Sequence, residues 1–267
     1  SGSSEKIGSI GSLGRAGVPV VVADQHLVFA RALWSRHATR ALLCPDAAAD
    51  PDAFVDWLLA LGATAPGRVL YPTSDDVAWL FARRRRALSH VFRVPIPSFE
   101  TVLGLLDKWR LHESARRVGI DTPDAWLPND DGDVARVARE VRYPAVIKPR
   151  TQALLAPHQK GRVARDPAEL ERLYADFRQA THSAPVVLDA DPTLAMPMIH
   201  SFAEGARDSV YNLRGFVDRT GEVFVAAASR KRFQWRRTLG VGLCFMVLEV
   251  RPELAAKLVA FFRDSGY

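Results

Sequence analysis

Cysteine is scarce. Cys44 and Cys244 are the only two in 267 residues, they lie far apart, and neither belongs to a CxxC pair. This argues against a disulfide framework and a cysteine zinc site, and it suits a reducing cytoplasm. The seven histidines are scattered with no HxxxH spacing, so no metal cluster of His and Cys is expected. No apolar run approaches the ~20 residues of a membrane span. No charged-then-apolar signal segment begins the chain. The expectation is therefore a cytoplasmic protein with no membrane partner. Repeats and low-complexity linkers are also lacking.

Charge is plentiful and unbalanced. The formal net charge is +6, with arginine the main source and an "RRRR" run at 83–86. Such a run would suit a polyanion. The plainer reading is a solvated helix face, because no aromatic stacking pattern accompanies the arginines. No nucleic-acid partner is expected.

The first part of the chain alternates strands and helices. "VPVVVAD" (18–24), "RALLCPD" (40–46), "RVLYPTSD" (68–75) and "FRVPIPS" (92–98) read as short buried strands. Between them, 26–37, 50–63 and 75–91 have helical spacing. Asp50 and Pro51 stand as N-cap and first helical residue of the second of these. The order implies a parallel sheet covered by helices. Gly8, Gly11 and Gly14 do not form a dinucleotide loop, since no strand precedes them. The first strand of this sheet is expected upstream of the chain.

The second part changes character. Residues 98–120 are helical with a break near Asp107, and 130–142 are helical. "YPAVIKPR" (143–150) is an apolar strand that ends on Lys148. A strand that delivers one lysine to its C-terminal end supplies a cation whose base is fixed. "RVAR" (162–165), "APVVLDA" (184–190) and "MPMIHSF" (196–202) read as strands, and 166–182 as a helix. A hairpin turns around Gly221, another strand follows over 240–250, and 251–267 form an amphipathic helix.

Four stretches in this order, "SLGRAGVPVVVAD" with "YPTSDD", then "DKWRLHESARRVGIDTP", "YPAVIKPR" and "SRKRFQWRRTLGVG", resemble the ATP-grasp superfamily. Within it they resemble the carboxylate–amine ligase group related to carbamoyl-phosphate synthase. The resemblance covers essentially the whole chain. It implies an α/β fold that becomes α+β in the second half. A parallel-sheet, Rossmann-like pre-ATP-grasp domain would span 1–106 and an ATP-grasp domain 107–267. ATP would lie between two α+β subdomains, a lid at about 143–200 and an incomplete C-terminal subdomain at 201–267 whose last strands are expected beyond Tyr267.

The resemblance also assigns residues. Lys108 and Lys148 would hold the nucleotide phosphates. Lys160, in the loop over them, is a further candidate. The backbone of His200, Ser201 and Phe202 would face adenine. His200 and Ser201 replace the family's Gln-Glu pair. Glu204 or Asp208 would take the ribose hydroxyls. Arg230 and Lys231 would stabilise the transferred phosphoryl group or the acyl phosphate. The cofactors would be ATP and Mg2+. The magnesium ligands are expected beyond the C-terminus, because Glu249 in "LEVRP" lacks the family's asparagine and precedes the last helix.

The implied reaction joins a carboxylate to an amine through an acyl phosphate, releasing ADP and phosphate. The partners would be the two small-molecule substrates, and a homodimer is left open. The alternative is a catalytically inactive nucleotide-binding or regulatory protein with the same fold.

Overall fold

The computed structural model describes residues 3–26, 31–154, 161–180, 185–203, 210–218, 220–235 and 241–267. The chain divides into two compact units, Ser1–Val102 and Leu103–Tyr267.

In the first unit, α1 (Ser3–Arg15) precedes β1 (Val21–Asp24), a single 3-10 turn at Arg31–Trp34, and β2 (Arg40–Leu43). Gly8, Gly11 and Gly14 are helical, not a phosphate loop. Then come α2 (Pro51–Thr64), β3 (Arg68–Val69), α3 (Asp75–Arg83), α4 (Arg85–Leu88) and β4 (Phe92–Arg93). The helix α5 (Phe99–Leu106) crosses the boundary between units. Asp50 caps α2 by accepting from the Ala53 amide at 2.9 Å, with Pro51 in the first turn. Ser74 caps α3, and Asp75 and Asp76 follow it in the first turn, where the helix dipole favours them.

Two expectations for this unit need correction. Its strands pair in parallel as expected, but as two separate pairs, β1–β2 and β3–β4, not one four-stranded sheet. The last two strands are only two residues long, and Pro72, Pro95 and Pro97 follow them, removing the amides that would extend a ladder. The helix expected over 26–37 is, in its described part, the 3-10 turn at 31–34; residues 27–30 lie outside the described residues. The arginine run is an exposed helix face. Arg84 pairs with Asp52, and Arg83 lies 5.3 Å from the Phe99 ring centre. Beneath it Trp79, Leu80 and Leu88 are fully buried, and Trp79 packs edge-on to Phe99.

The second unit continues with α6 (Lys108–Arg117), β5 (Ala125–Trp126), α7 (Asp131–Glu140), β6 (Ala145–Lys148), β7 (Arg162–Ala164) and α8 (Pro167–Ala180). After α9 (Pro185–Ala190), a 3-10 turn at Pro192–Ala195 leads into β8 (Met198–Ser201). The long hairpin β9 (Tyr211–Val217) and β10 (Val223–Trp235) is followed by β11 (Val241–Leu248) and α10 (Pro252–Asp264). The break at Asp107 is real, and Asp107 is the N-cap of α6. The hairpin turns at Gly221, whose φ of +81° suits a residue without Cβ. "APVVLDA" is a helix, not a strand. A short apolar run has no period that separates the two, and Pro185 fits a first helical turn.

Two antiparallel sheets result, β5-β8-β6-β7 and β11-β10-β9. The first is two-sided. Ala145, Ile147, Ala164 and Ile199 point to one face and pack with Val134, Val137 and Ala138 of α7 and Leu170, Tyr174 and Phe177 of α8. Period-two alternation then sends Val146, Lys148, Met198 and His200 to the opposite face. That face carries the site.

Candidate functional site

Lys148 is the last residue of β6 and Lys108 the first of α6. The main chain brings them together. The Lys108 amide donates to the Arg150 carbonyl at 2.8 Å, and the Lys108 ammonium donates to the same oxygen at 3.3 Å. Burial lowers the Lys148 pKa to about 8, and the neighbouring Lys108 charge adds to the effect. No carboxylate among the described residues forms an ion pair with Lys148. Two cations share a partly buried face, an arrangement that favours an anion between them.

His200 stands beside them. It pairs with Val146 across β6–β8, two positions from the Lys148–Met198 pair. Its Nδ1 lies 2.8 Å from the Ser201 carbonyl and donates to it, which leaves Nε2 as an acceptor. Nε2 is buried with no hydrogen-bond partner among the described residues. Burial first, and Lys148 second, push the His200 pKa down to about 4, so the ring is neutral at pH 7. His112, one helical turn after Lys108 on α6, also has its pKa lowered, by burial and by Arg116 ahead of Lys148.

The hinge backbone needs a correction. The Ser201 amide donates to the Asp124 carbonyl at 2.9 Å and the Phe202 amide to the Pro144 carbonyl at 3.1 Å. Those two amides, part of the backbone expected to face a base, are committed to the protein. What the hinge offers instead is acceptors, the Ser201 carbonyl and His200 Nε2.

The remaining expected residues are less gathered. Lys160, Glu204 and Asp208 lie outside the described residues. Arg230 and Lys231 are consecutive on β10 and pair regularly with Met246 and Phe245. Consecutive residues of a regular strand face opposite sides, and the ladder with β11 shifts only after this pair, between Lys231 and Phe233. Lys231 donates to Gln234 on its own strand. The Glu249 carbonyl accepts from the Tyr211 hydroxyl at 2.9 Å. Among the described residues no three His, Cys, Asp or Glu side chains come together to hold a metal, and none is assigned to magnesium.

The sequence reading missed a polar cluster beneath the lysines. Asp107 is fully buried and Arg150 is 4% exposed. Arg150 grips Asp107 with two parallel hydrogen bonds, Nε to Oδ1 at 3.0 Å and Nη2 to Oδ2. Its Nη1 donates to the Thr193 carbonyl and hydroxyl at 3.0 and 2.9 Å. Asp191 accepts from the Thr193 hydroxyl at 2.6 Å and from Arg110 at 2.8 Å. The signal was present in outline, with an acid at a helix break and an arginine two residues after the strand lysine.

No family model matches this sequence, and no curated protein matches it. Solved structures do. The biotin carboxylase domain dimer of the Hydrogenobacter thermophilus 2-oxoglutarate carboxylase, in complex with MgADP, ADP and bicarbonate, superposes with a TM-score of 0.73 at 17% identity, over 98% of this chain and 56% of that one. An L-amino acid ligase from Bacillus licheniformis gives 0.67 at 15% identity, over 97% and 59%. The N5-carboxyaminoimidazole synthetase of Staphylococcus aureus complexed with ADP gives 0.67 at 11%, over 99% and 61%. These are ATP-grasp enzymes, and the chain has the ATP-grasp fold. It spans 56%, 59% and 61% of the length of these three proteins. The α/β expectation with its ATP-grasp second half is borne out. No helix among the described residues is long and apolar enough to cross a membrane.

Proposed function

We propose that the second unit binds ATP and that the protein is an ATP-dependent ligase joining a carboxylate to an amine. The observation that carries this reading is the convergence of Lys108 and Lys148 on the sheet face opposite the helices, with no carboxylate pairing Lys148 among the described residues. Two ammonium groups on fixed bases can hold phosphate oxygens as point charges. His200 Nε2 and the Ser201 carbonyl, both acceptors, suit the exocyclic amine of adenine. Guanine would bring its O6 acceptor against them.

On this reading ATP phosphorylates the carboxylate. The γ-phosphoryl group moves from ATP to a carboxylate oxygen, forming an acyl phosphate and releasing ADP. The amine nitrogen then attacks the acyl carbon, phosphate leaves, and the amine loses a proton. The chain's own part is to orient the phosphates and offset their charge. Either Arg230 or Lys231, on opposite faces of β10, would supply charge at the transferred group. Magnesium, when bound, would offset negative charge on the phosphates, and none of the described residues is assigned to hold it. Lys160 over the phosphates, Glu204 or Asp208 at the ribose, and a pre-ATP-grasp domain ending near residue 106 belong to the same proposal. The fold neighbours described with ADP and MgADP support it by analogy of fold.

Thermal unfolding with and without ATP tests the site. A ligand at ~100 times its dissociation constant adds ~2.7 kcal/mol of stability. The gain should appear in the parent and vanish in Lys148→Ala. ADP release that requires both a carboxylate and an amine would establish turnover. Binding without such release would favour the inactive nucleotide-binding alternative.

A further inference from the structure

Taking Lys108 and Lys148 as the phosphate-holding cations proposed above, we infer that Asp107 and Arg150 are positioning residues, a buried clamp that fixes the spacing of those two lysines. Lys108 follows Asp107 directly, and Lys148 lies two residues before Arg150, with only Pro149 between them. Any displacement of the Asp107–Arg150 pair must therefore move both lysine backbones. Neither clamp residue reaches solvent to a useful degree, so neither is offered to a ligand as a charge.

The joint is made three ways. The guanidinium fork of Arg150 holds the Asp107 carboxylate side-on, which fixes orientation as well as distance. The Asp107 Oδ1 accepts from the Trp109 amide at 3.0 Å, so the same carboxylate sets the first turn of α6. The Arg150 carbonyl takes both donors of Lys108, its amide and its ammonium. Together these weld the start of α6 to the end of β6.

The clamp is braced from a third element. Arg150 Nη1 donates to Thr193 in the turn before β8, and Asp191 holds Thr193 while accepting from Arg110 of α6. The arginines and aspartates of the cluster number two each, Arg110 and Arg150 against Asp107 and Asp191, so their charges balance. The net positive charge at the site is left to the lysines. Lys108 and Lys148 repel one another when no anion lies between them. A rigid joint keeps them at a set spacing against that repulsion, so that little reorganisation is needed on binding.

The test uses the whole 267-residue chain and isothermal titration with two probes, ADP with magnesium and adenosine. Arg150→Lys keeps the charge and removes the fork. The expected result is a ~10-fold loss of ADP affinity with adenosine affinity held within ~2-fold, because only the phosphate end of the site is disturbed. Thr193→Val, which removes the hydroxyl that accepts from Arg150 and donates to Asp191 but leaves the Asp107–Arg150 ion pair, should shift ADP in the same direction by less. Equal ADP affinity in a folded Arg150→Lys protein would overturn the clamp. So would a loss shared equally by ADP and adenosine, which would mean a merely structural role. If Arg150→Lys does not fold by circular dichroism, Thr193→Val decides, and an unchanged ratio of the two affinities overturns the clamp. A folded parent that binds no ADP overturns the nucleotide site itself, a different outcome from a parent that binds and a variant that binds equally.

Discussion

Lys148 and His200 share one face of the four-stranded sheet, on neighbouring strands and two register positions apart, and the Lys148 charge adds to the burial that keeps His200 from charging. The ring is neutral and its Nδ1–H is tied to the Ser201 carbonyl. A proton-coupled nitrogen NMR titration should show one tautomer unchanged from pH 8 down to pH 5. An unfolded chain protonates this histidine near its ordinary value of 6.5 while the folded chain waits until about 4. The unfolded state therefore binds more protons in that window, and the His200 contribution to stability falls as pH drops from about 6.5 to about 4. Replacing His200 by Gln should remove this part of the slope.

Lys148 carries the opposite tension. Its folded pKa of about 8 lies below the ordinary 10.5, so at neutral pH the folded state holds a charge it disfavours. Lys148→Met should raise the unfolding free energy of the unliganded protein by roughly 1–3 kcal/mol at pH 7. The gain should shrink as pH rises from about 8 towards 10.5, where the parent sheds the proton in the folded state first. Stabilisation by ATP should be lost in the same variant. Chemical denaturation across pH, with and without nucleotide, checks both halves.

Arg230 and Lys231 divide by face. Arg230→Ala and Lys231→Ala should not be equivalent: one should reduce acyl-phosphate formation, trapped with hydroxylamine, by ~10-fold or more, and the other should leave it near the parent. Equal effects would mean that β10 does not keep the alternation seen at these positions.

Tyr174 tests the scaffold apart from the site. It is 1% exposed, and its hydroxyl donates to the Pro197 carbonyl at 3.1 Å, just before β8. Tyr174→Phe should cost about 1 kcal/mol of stability in urea, with nucleotide affinity unchanged. Leu170→Ala, at a fully buried position of the same cluster, should cost about 2–5 kcal/mol.

The sequence showed some of this and hid the rest for physical reasons. Lys148 was legible because an apolar strand that ends in a cation is locally unusual. Lys108 and the Asp107 break were legible because helix caps are written in adjacent residues. The helix at 185–190 was not, since six apolar-rich residues have no period of their own. The separation of the first unit's strands into two pairs depends on which neighbour each strand finds, a tertiary choice. The grip of Arg150 on Asp107 joins residues 43 positions apart, so no local pattern could announce it. The opposite faces of Arg230 and Lys231 were available from alternation alone, once 223–235 was taken as a strand.

The buried pair at 107 and 150 also bears on how the chain can change over generations. Altering either residue alone strands its partner's charge away from water, a step of about 3–5 kcal/mol, which is a large share of the stability of an ordinary domain. Exchanging both for apolar residues of similar volume need not carry that penalty. The two positions are therefore expected to travel through descent as one character, kept together or replaced together. A relative that retains one without the other should carry a second change nearby that shelters the orphaned group.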